Sequence, residues 1–260
     1  MPDVGESASA RASPGARFDV EHARAAAMRP VLDLARRAAR SSANVLISGE
    51  SGTGKRSLAR WIHETGAHRA GPLIAVGSAA VGEVLLAGGG GARAQAMFAE
   101  AAGGTLVIDE LVELLPEAQA ALVQLLDMPP LRPAGAAGTR VIATTQHPSR
   151  GRLRADLYYA IAVIAIAMPP LRDRAEDLPA LIASFLARSP RPAAITDAAL
   201  AWLAGAEWPG NVRELAATIE RAVALSDDGV IDVAHLAGAD RAPGAGVTSP
   251  DPHRRRSSPR

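Results

Sequence analysis

Two groups of residues in this chain have the types and spacing to do chemistry. The first is Gly49-Glu50-Ser51-Gly52-Thr53-Gly54-Lys55, which fits the pattern GxxxxGK and is followed by Arg56. Glycines at these positions let successive backbone N–H groups wrap around phosphate oxygens, and the lysine adds a full charge for the outer phosphates. The second is Asp109-Glu110, which ends the apolar run Thr105-Leu106-Val107-Ile108. Together they point to binding of a nucleoside triphosphate, ATP, with Mg²⁺. Asp109 is placed to hold metal-bound water, and Glu110 to orient and deprotonate an attacking water. Arg56 stands where a Ser or Thr usually ligates the metal, so Mg²⁺ would lean on Asp109, bridging waters and the phosphates themselves. The bland alternatives are a glycine-rich turn that binds nothing and a strand end capped by solvated acids.

The elements that must position these groups can be read from the apolar pattern. Asn44–Ser48 reads as a buried strand leading into the loop, and Lys55–Glu64 as the helix that leaves it. That strand-loop-helix context is what the phosphate motif requires. Further strands are expected at Leu73–Val76, Thr105–Asp109, Arg140–Thr144 and Ala162–Ile166, with helices over residues 25–40 and Glu117–Asp127. Apolar strands without alternation, separated by helices, indicate an α/β fold with a mostly parallel sheet covered on both faces. After Pro169-Pro170 the strands stop. Arg174–Arg188, Asp197–Ala204, Asn211–Leu225 and a short piece at Asp232–Leu236 read as a small all-helical second domain.

Composition narrows the function further. With 260 residues and a 48% hydrophobic share, one large domain plus a satellite can form, and 3% aromatics make its core aliphatic. The 28 basic and 27 acidic residues balance, giving no global pull toward nucleic acid or membrane. There is no cysteine, which excludes disulfides and thiol chemistry, and the six histidines are scattered rather than paired. No stretch reaches the ~18 apolar residues of a membrane span. The small, polar N-terminus does not read as a signal peptide, so a cytoplasmic protein is expected.

Taken in order, GESGTGK, GGTLVIDE, LRADLYY, MPPLRDRAEDLP and WPGNVREL resemble the AAA+ ATPase domain of bacterial sigma-54-dependent transcription activators, the enhancer-binding proteins. The resemblance runs from about residue 25 to 238. It implies a P-loop AAA+ core over 17–170, a helical lid over 171–238, and disordered ends at 1–16 and 239–260. It also implies ATP between core and lid and self-association into a hexamer-like ring. In the family, hydrolysis remodels RNA polymerase so that a promoter can open. By matching, Arg213 of WPGNVREL resembles the lid arginine that senses the γ-phosphate, the alternative being a surface salt bridge to Glu214 or Glu220. Arg154 of LRADLYY resembles an arginine finger that reaches a neighbour's nucleotide, the alternative being a solvated helix arginine. Gln146 follows strand RVIAT where the family has an asparagine sensor.

The chain also departs from the family. Its LFGHEKGAFTGA stretch, which touches sigma-54, is replaced between Ala80 and Phe98 by small residues and the run Gly88-Gly89-Gly90-Gly91. The family asparagine after the second strand is Gly77, and the second arginine of its FRxDLxxR pattern is Ala160. Such an arginine is worth roughly 10³–10⁵ in rate. Neither the regulatory domain that usually precedes the family's ATPase nor the DNA-binding helix-turn-helix that usually follows it is expected within these 260 residues. Arg254, Arg255 and Arg256 read as a solvated basic tail, with phosphate contact to DNA as the alternative. Two expectations follow. One is an ATPase and transcription regulator of the sigma-54 activator type. The other is a degenerate nucleotide-binding module that co-assembles with related activators and restrains them. In either case no stable contact with sigma-54 is expected. A small-molecule kinase on a P-loop core is a third reading, which WPGNVREL and PPLRDRAEDLP give no reason to adopt.

Overall fold

The computed structural model describes residues 23–87, 90–127, 138–146, 152–191 and 193–237. The expected disordered ends and the arginine run at 254–256 lie outside the described residues.

Five strands form one parallel sheet in the order β2-β3-β4-β1-β5. They are β1 (Val45–Ser48), β2 (Leu73–Gly77), β3 (Thr105–Asp109), β4 (Arg140–Thr145) and β5 (Ile164–Ala167). Val45, Leu46, Ile47, Leu106, Val107, Ile108, Val141, Ile142 and Ala143 are all buried, as apolar runs covered on both faces must be. Side chains alternate across a strand, so each strand feeds two cores. Val45, Ile47, Val107 and Ile142 pack with helices α1 (Arg29–Ala39) and α2 (Lys55–Glu64). Leu46, Leu106, Ile108, Val141 and Ala143 pack with α3 (Ser78–Leu86), α4 (Gly90–Glu100), α5 (Pro116–Asp127) and α6 (Ala155–Ile161).

The sheet is that expected from the sequence, with differences at its margins. β5 begins at Ile164 rather than Ala162, because Ala162 terminates α6 with helical-side dihedrals. β2 and β5 are edge strands and are half exposed. The expected helix over 25–40 is a 3-10 turn, Ala26–Met28, followed by α1, with Pro30 in its first turn. Buried Arg140 on β4 donates to Ala38 O at 2.8 Å and Ala43 O at 3.1 Å, satisfying a carbonyl at the C-terminal end of α1. Burial pushes its guanidinium down to about 10.

The second domain is helical, with α7 (Leu178–Ala187), α8 (Asp197–Ala204), α9 (Asn211–Leu225) and α10 (Val233–Leu236). It also carries a two-residue parallel ladder between β6 (Ala194–Ile195) and β7 (Val230–Ile231). The helix expected over Arg174–Arg188 is broken. A 3-10 segment, Leu171–Asp177, bends at Arg174 (φ −143°, ψ 47°) before α7 starts with Pro179 in its first turn. The bend aims the buried Arg174 guanidinium at Thr53 O, 2.6 Å away.

This lid is docked on the loop between β1 and α2. Asn211 is buried at a left-handed position (φ 53°) that asparagine tolerates better than most residues. Its Oδ1 accepts from Leu171 N at 2.7 Å, and its Nδ2 donates to Ser51 O at 3.0 Å and Glu50 Oε2 at 3.2 Å. Arg172 grips the same Glu50 carboxylate in a bidentate pair at 2.9 and 2.6 Å. Gly52 lies against the lid so closely that an added Cβ would fall 2.2 Å from Gly210 O. Asn211→Ala would strand a buried amide and a buried carbonyl, each costing about 1–3 kcal/mol. Urea denaturation should therefore show a loss of about 3 kcal/mol, and an unchanged midpoint would contradict this role.

Candidate nucleotide-binding site

The loop from Gly49 to Gly54 turns the chain from β1 into α2. Gly54 stands at the helix N-cap with φ +100°, a backbone state that side-chain-bearing residues rarely adopt. The turn points the first amides of α2 into the loop, where their partial charges favour an anion. Thr53 is buried and braces the loop by donating from Oγ1 to Glu50 O at 2.9 Å.

Lys55 is also buried. Its ammonium donates to Gly49 O at 2.7 Å and Glu50 O at 3.1 Å, and lies 3.4 Å from Glu110 Oε1. Burial holds its pKa below the ordinary lysine value, and the Glu110 and Asp109 carboxylates offset part of that drop. A buried ammonium satisfied mainly by neutral carbonyls gains strongly when an anion replaces them.

The acidic pair sits at the C-terminal end of β3, separated from β1 by β4 alone. Thr144 of β4 connects both acids. Its hydroxyl donates to Asp109 Oδ1 at 3.0 Å and accepts from Glu110 N at 3.1 Å. Glu110 occupies the left-handed region (φ 53°), which costs a non-glycine residue roughly 1–2 kcal/mol. Its Oε1 faces Lys55, while its Oε2 is buried and takes no hydrogen bond from the described residues. A buried carboxylate oxygen without a partner costs free energy that a hydrogen bond from a bound water would recover.

Asp109 is less open. Oδ1 is taken by Thr144, and Oδ2 is contacted by both Nε and Nη2 of Arg56. Among the described residues there is no group of three or more His, Cys, Asp or Glu able to hold a metal. Asp109 is the one carboxylate placed to help hold Mg²⁺ on bound phosphates, and it already carries Thr144 on one oxygen and Arg56 on the other.

The remaining expected site residues divide by location. Arg213 is directed at the loop, with Nη1 donating to Ser51 Oγ at 3.1 Å and its backbone N to Gly52 O at 3.3 Å. Glu50 turns its carboxylate to Arg172 and Asn211 of the lid. Gln146 lies exposed past the end of β4, and it is the Thr144 hydroxyl that meets the acids. Arg154 stands at the N-cap of α6 on the surface and pairs with Asp156 at 2.7 Å, so among the described residues its guanidinium is turned to a carboxylate of its own helix. At Gly77, in register with Asp109, an added Cβ would meet nothing within 4 Å. Space therefore exists there for the side chain that the glycine lacks.

Thr144, Asn211, Arg172 and Arg174 escaped the motif reading. A threonine buried at the end of an otherwise apolar strand is the one signal that marked Thr144. Thr144→Val keeps the shape but leaves the Glu110 amide and one Asp109 oxygen unpaired. It should lower the unfolding free energy by about 1–2 kcal/mol in urea titration, whereas an unchanged value would mean that the hydroxyl does not support the pair.

The comparisons with known proteins agree with this geometry. The family model described as the sigma-54 interaction domain matches residues 22–167, and that described as an AAA+ ATPase lid domain matches 172–248. The Nif-specific regulatory protein of Azotobacter vinelandii is 37% identical over 82% of this chain and 46% of its own length. The phenol regulator MopR of Acinetobacter guillouiae is 37% identical over 77% of this chain and 40% of its own. The chain thus spans half or less of the length of these relatives. Among solved structures, NtrX from Brucella abortus in complex with ATP superposes with a TM-score of 0.66 at 26% identity, covering 82% of this chain and 55% of that one. The chain belongs to the sigma-54 interaction domain family, with an AAA+ ATPase lid domain on its C-terminal side.

Proposed function

We propose that this chain binds ATP at Gly49–Arg56, between core and lid, and hydrolyses it to ADP and phosphate in a regulator of DNA-templated transcription. The observation that carries the reading is the pairing of buried Lys55 with Glu110, whose second carboxylate oxygen is buried without a hydrogen-bond partner among the described residues. The ATP complex of NtrX and the regulatory names of the relatives support it.

In this reading the loop amides receive the phosphates, and Lys55 exchanges Gly49 O and Glu50 O for phosphate oxygens. Glu110 Oε2 takes a proton from a water as its oxygen attacks the γ-phosphorus and the bond to the ADP oxygen breaks. Arg213 moves from Ser51 Oγ to the γ-phosphate, so the lid senses the nucleotide. Arg154, exposed and salt-bridged to Asp156, acts on the nucleotide of a neighbouring subunit in a hexamer-like ring or a mixed ring with related activators. Asp109 stays paired with Arg56 and takes no part in the proton transfer. The working parts are the core over 17–170 and the lid over 171–238, acting in the cytoplasm. No helix among the described residues is long and apolar enough to cross a membrane.

Steady-state hydrolysis measured across protein concentrations tests the reading. Specific activity should rise with concentration. Glu110→Gln should keep ATP affinity while losing about 10²–10⁴ in rate, and Arg154→Ala should lose about 10³ or more. Binding without turnover at every concentration would replace this reading with that of a module lacking its motor. Without a GAFTGA sequence, no stoichiometric complex with sigma-54 should form in the presence of a transition-state nucleotide analogue. Co-elution of the two in size-exclusion chromatography would contradict that.

A further inference from the structure

Arg56 is the residue of the site that the proposed hydrolysis does not use. It follows Lys55 in the first turn of α2, where a hydroxyl residue would otherwise help to hold a divalent metal on the phosphates. Its side chain is 73% exposed, yet Nε and Nη2 both reach the Asp109 carboxylate, which is only 14% exposed. With Thr144 on Oδ1, each oxygen of that carboxylate already has a partner, and the partner on Oδ2, Arg56, carries a full positive charge.

Charge points the same way. Lys55 and Arg56 supply two positive charges against the two negative charges of Asp109 and Glu110. With a neutral residue at 56 the same cluster carries a net negative charge, and a triphosphate needs a divalent cation to enter beside it. A guanidinium presents five donors in a planar fork, so one that spends two nitrogens on a carboxylate still has donors for a phosphate.

We propose that Arg56 is a tethered cation that takes the place of a divalent metal in nucleotide binding, bridging Asp109 and the outer phosphates, so that ATP binds this chain without Mg²⁺. The inference rests on the ATP reading above, and it makes Arg56 a binding residue that sets metal dependence. Asp109 becomes its anchor rather than a metal ligand. Because Arg56 lies on the surface, its replacement leaves the fold intact.

The test is isothermal titration of the full chain with the β,γ-imido analogue of ATP, in excess EDTA and then in excess Mg²⁺. For the wild type, Kd should agree between the two media within about threefold, whereas Arg56→Ser should bind roughly tenfold or more weakly in EDTA and recover in Mg²⁺. A wild-type Kd that weakens by about tenfold in EDTA, as a metal-dependent site requires, would overturn the proposal, as would an Arg56→Ser variant indifferent to Mg²⁺. Absence of wild-type binding in both media would overturn the ATP reading itself, an outcome distinct from a metal-dependent Kd.

Discussion

The whole site depends on the buried side chain of Asn211. Its amide bonds simultaneously to the backbone of Leu171, at the start of the lid, and to Ser51 and Glu50 in the phosphate loop. Three arginines of the lid add their own contacts to the loop around this joint. Arg172 holds Glu50, Arg174 holds Thr53 O, and Arg213 rests on Ser51 Oγ. A loop of small residues would otherwise be the least constrained part of the chain. Here it is gripped from the lid while β1 and α2 fix its ends. Loop and lid are thereby held to one another by side chains from both.

The electrostatics of the site follow from that frame. Lys55 is buried against loop carbonyls with one carboxylate at hand, a poor setting for an ammonium and a good one for receiving phosphate. Thr144 holds the two acids apart in function. Asp109 is turned toward Arg56, and Glu110 faces Lys55 with one oxygen while the other is buried without a partner among the described residues. Two neighbouring carboxylates are thus given different partners by one hydroxyl and one guanidinium.

Much of this was legible in the sequence, and the parts that were not share a cause. β1, β3 and β4 could be read because central strands of a parallel sheet are apolar throughout, and the phosphate motif lies where β1 hands over to α2. The α/β class and the helical lid followed from the same pattern. The helices α3 and α4 gave little signal, because alanine and glycine dominate them and few of their residues are large and buried. The break at Arg174 depends on a bond to Thr53 O, more than a hundred positions away in sequence and invisible to local periodicity. For the same reason Arg56 read as an odd neighbour of the lysine, and only its contact with Asp109 gives it a part to play.

The central claim is that the loop around Lys55 is a nucleotide site, and the melting temperature in the presence of ATP tests it most directly. Saturating ligand at about 100 times Kd stabilises the folded state by roughly 2.7 kcal/mol. The wild type should melt several degrees higher with ATP, and Lys55→Ala should melt at the same temperature with and without it. Equal shifts in both proteins, or none in the wild type, would contradict the account.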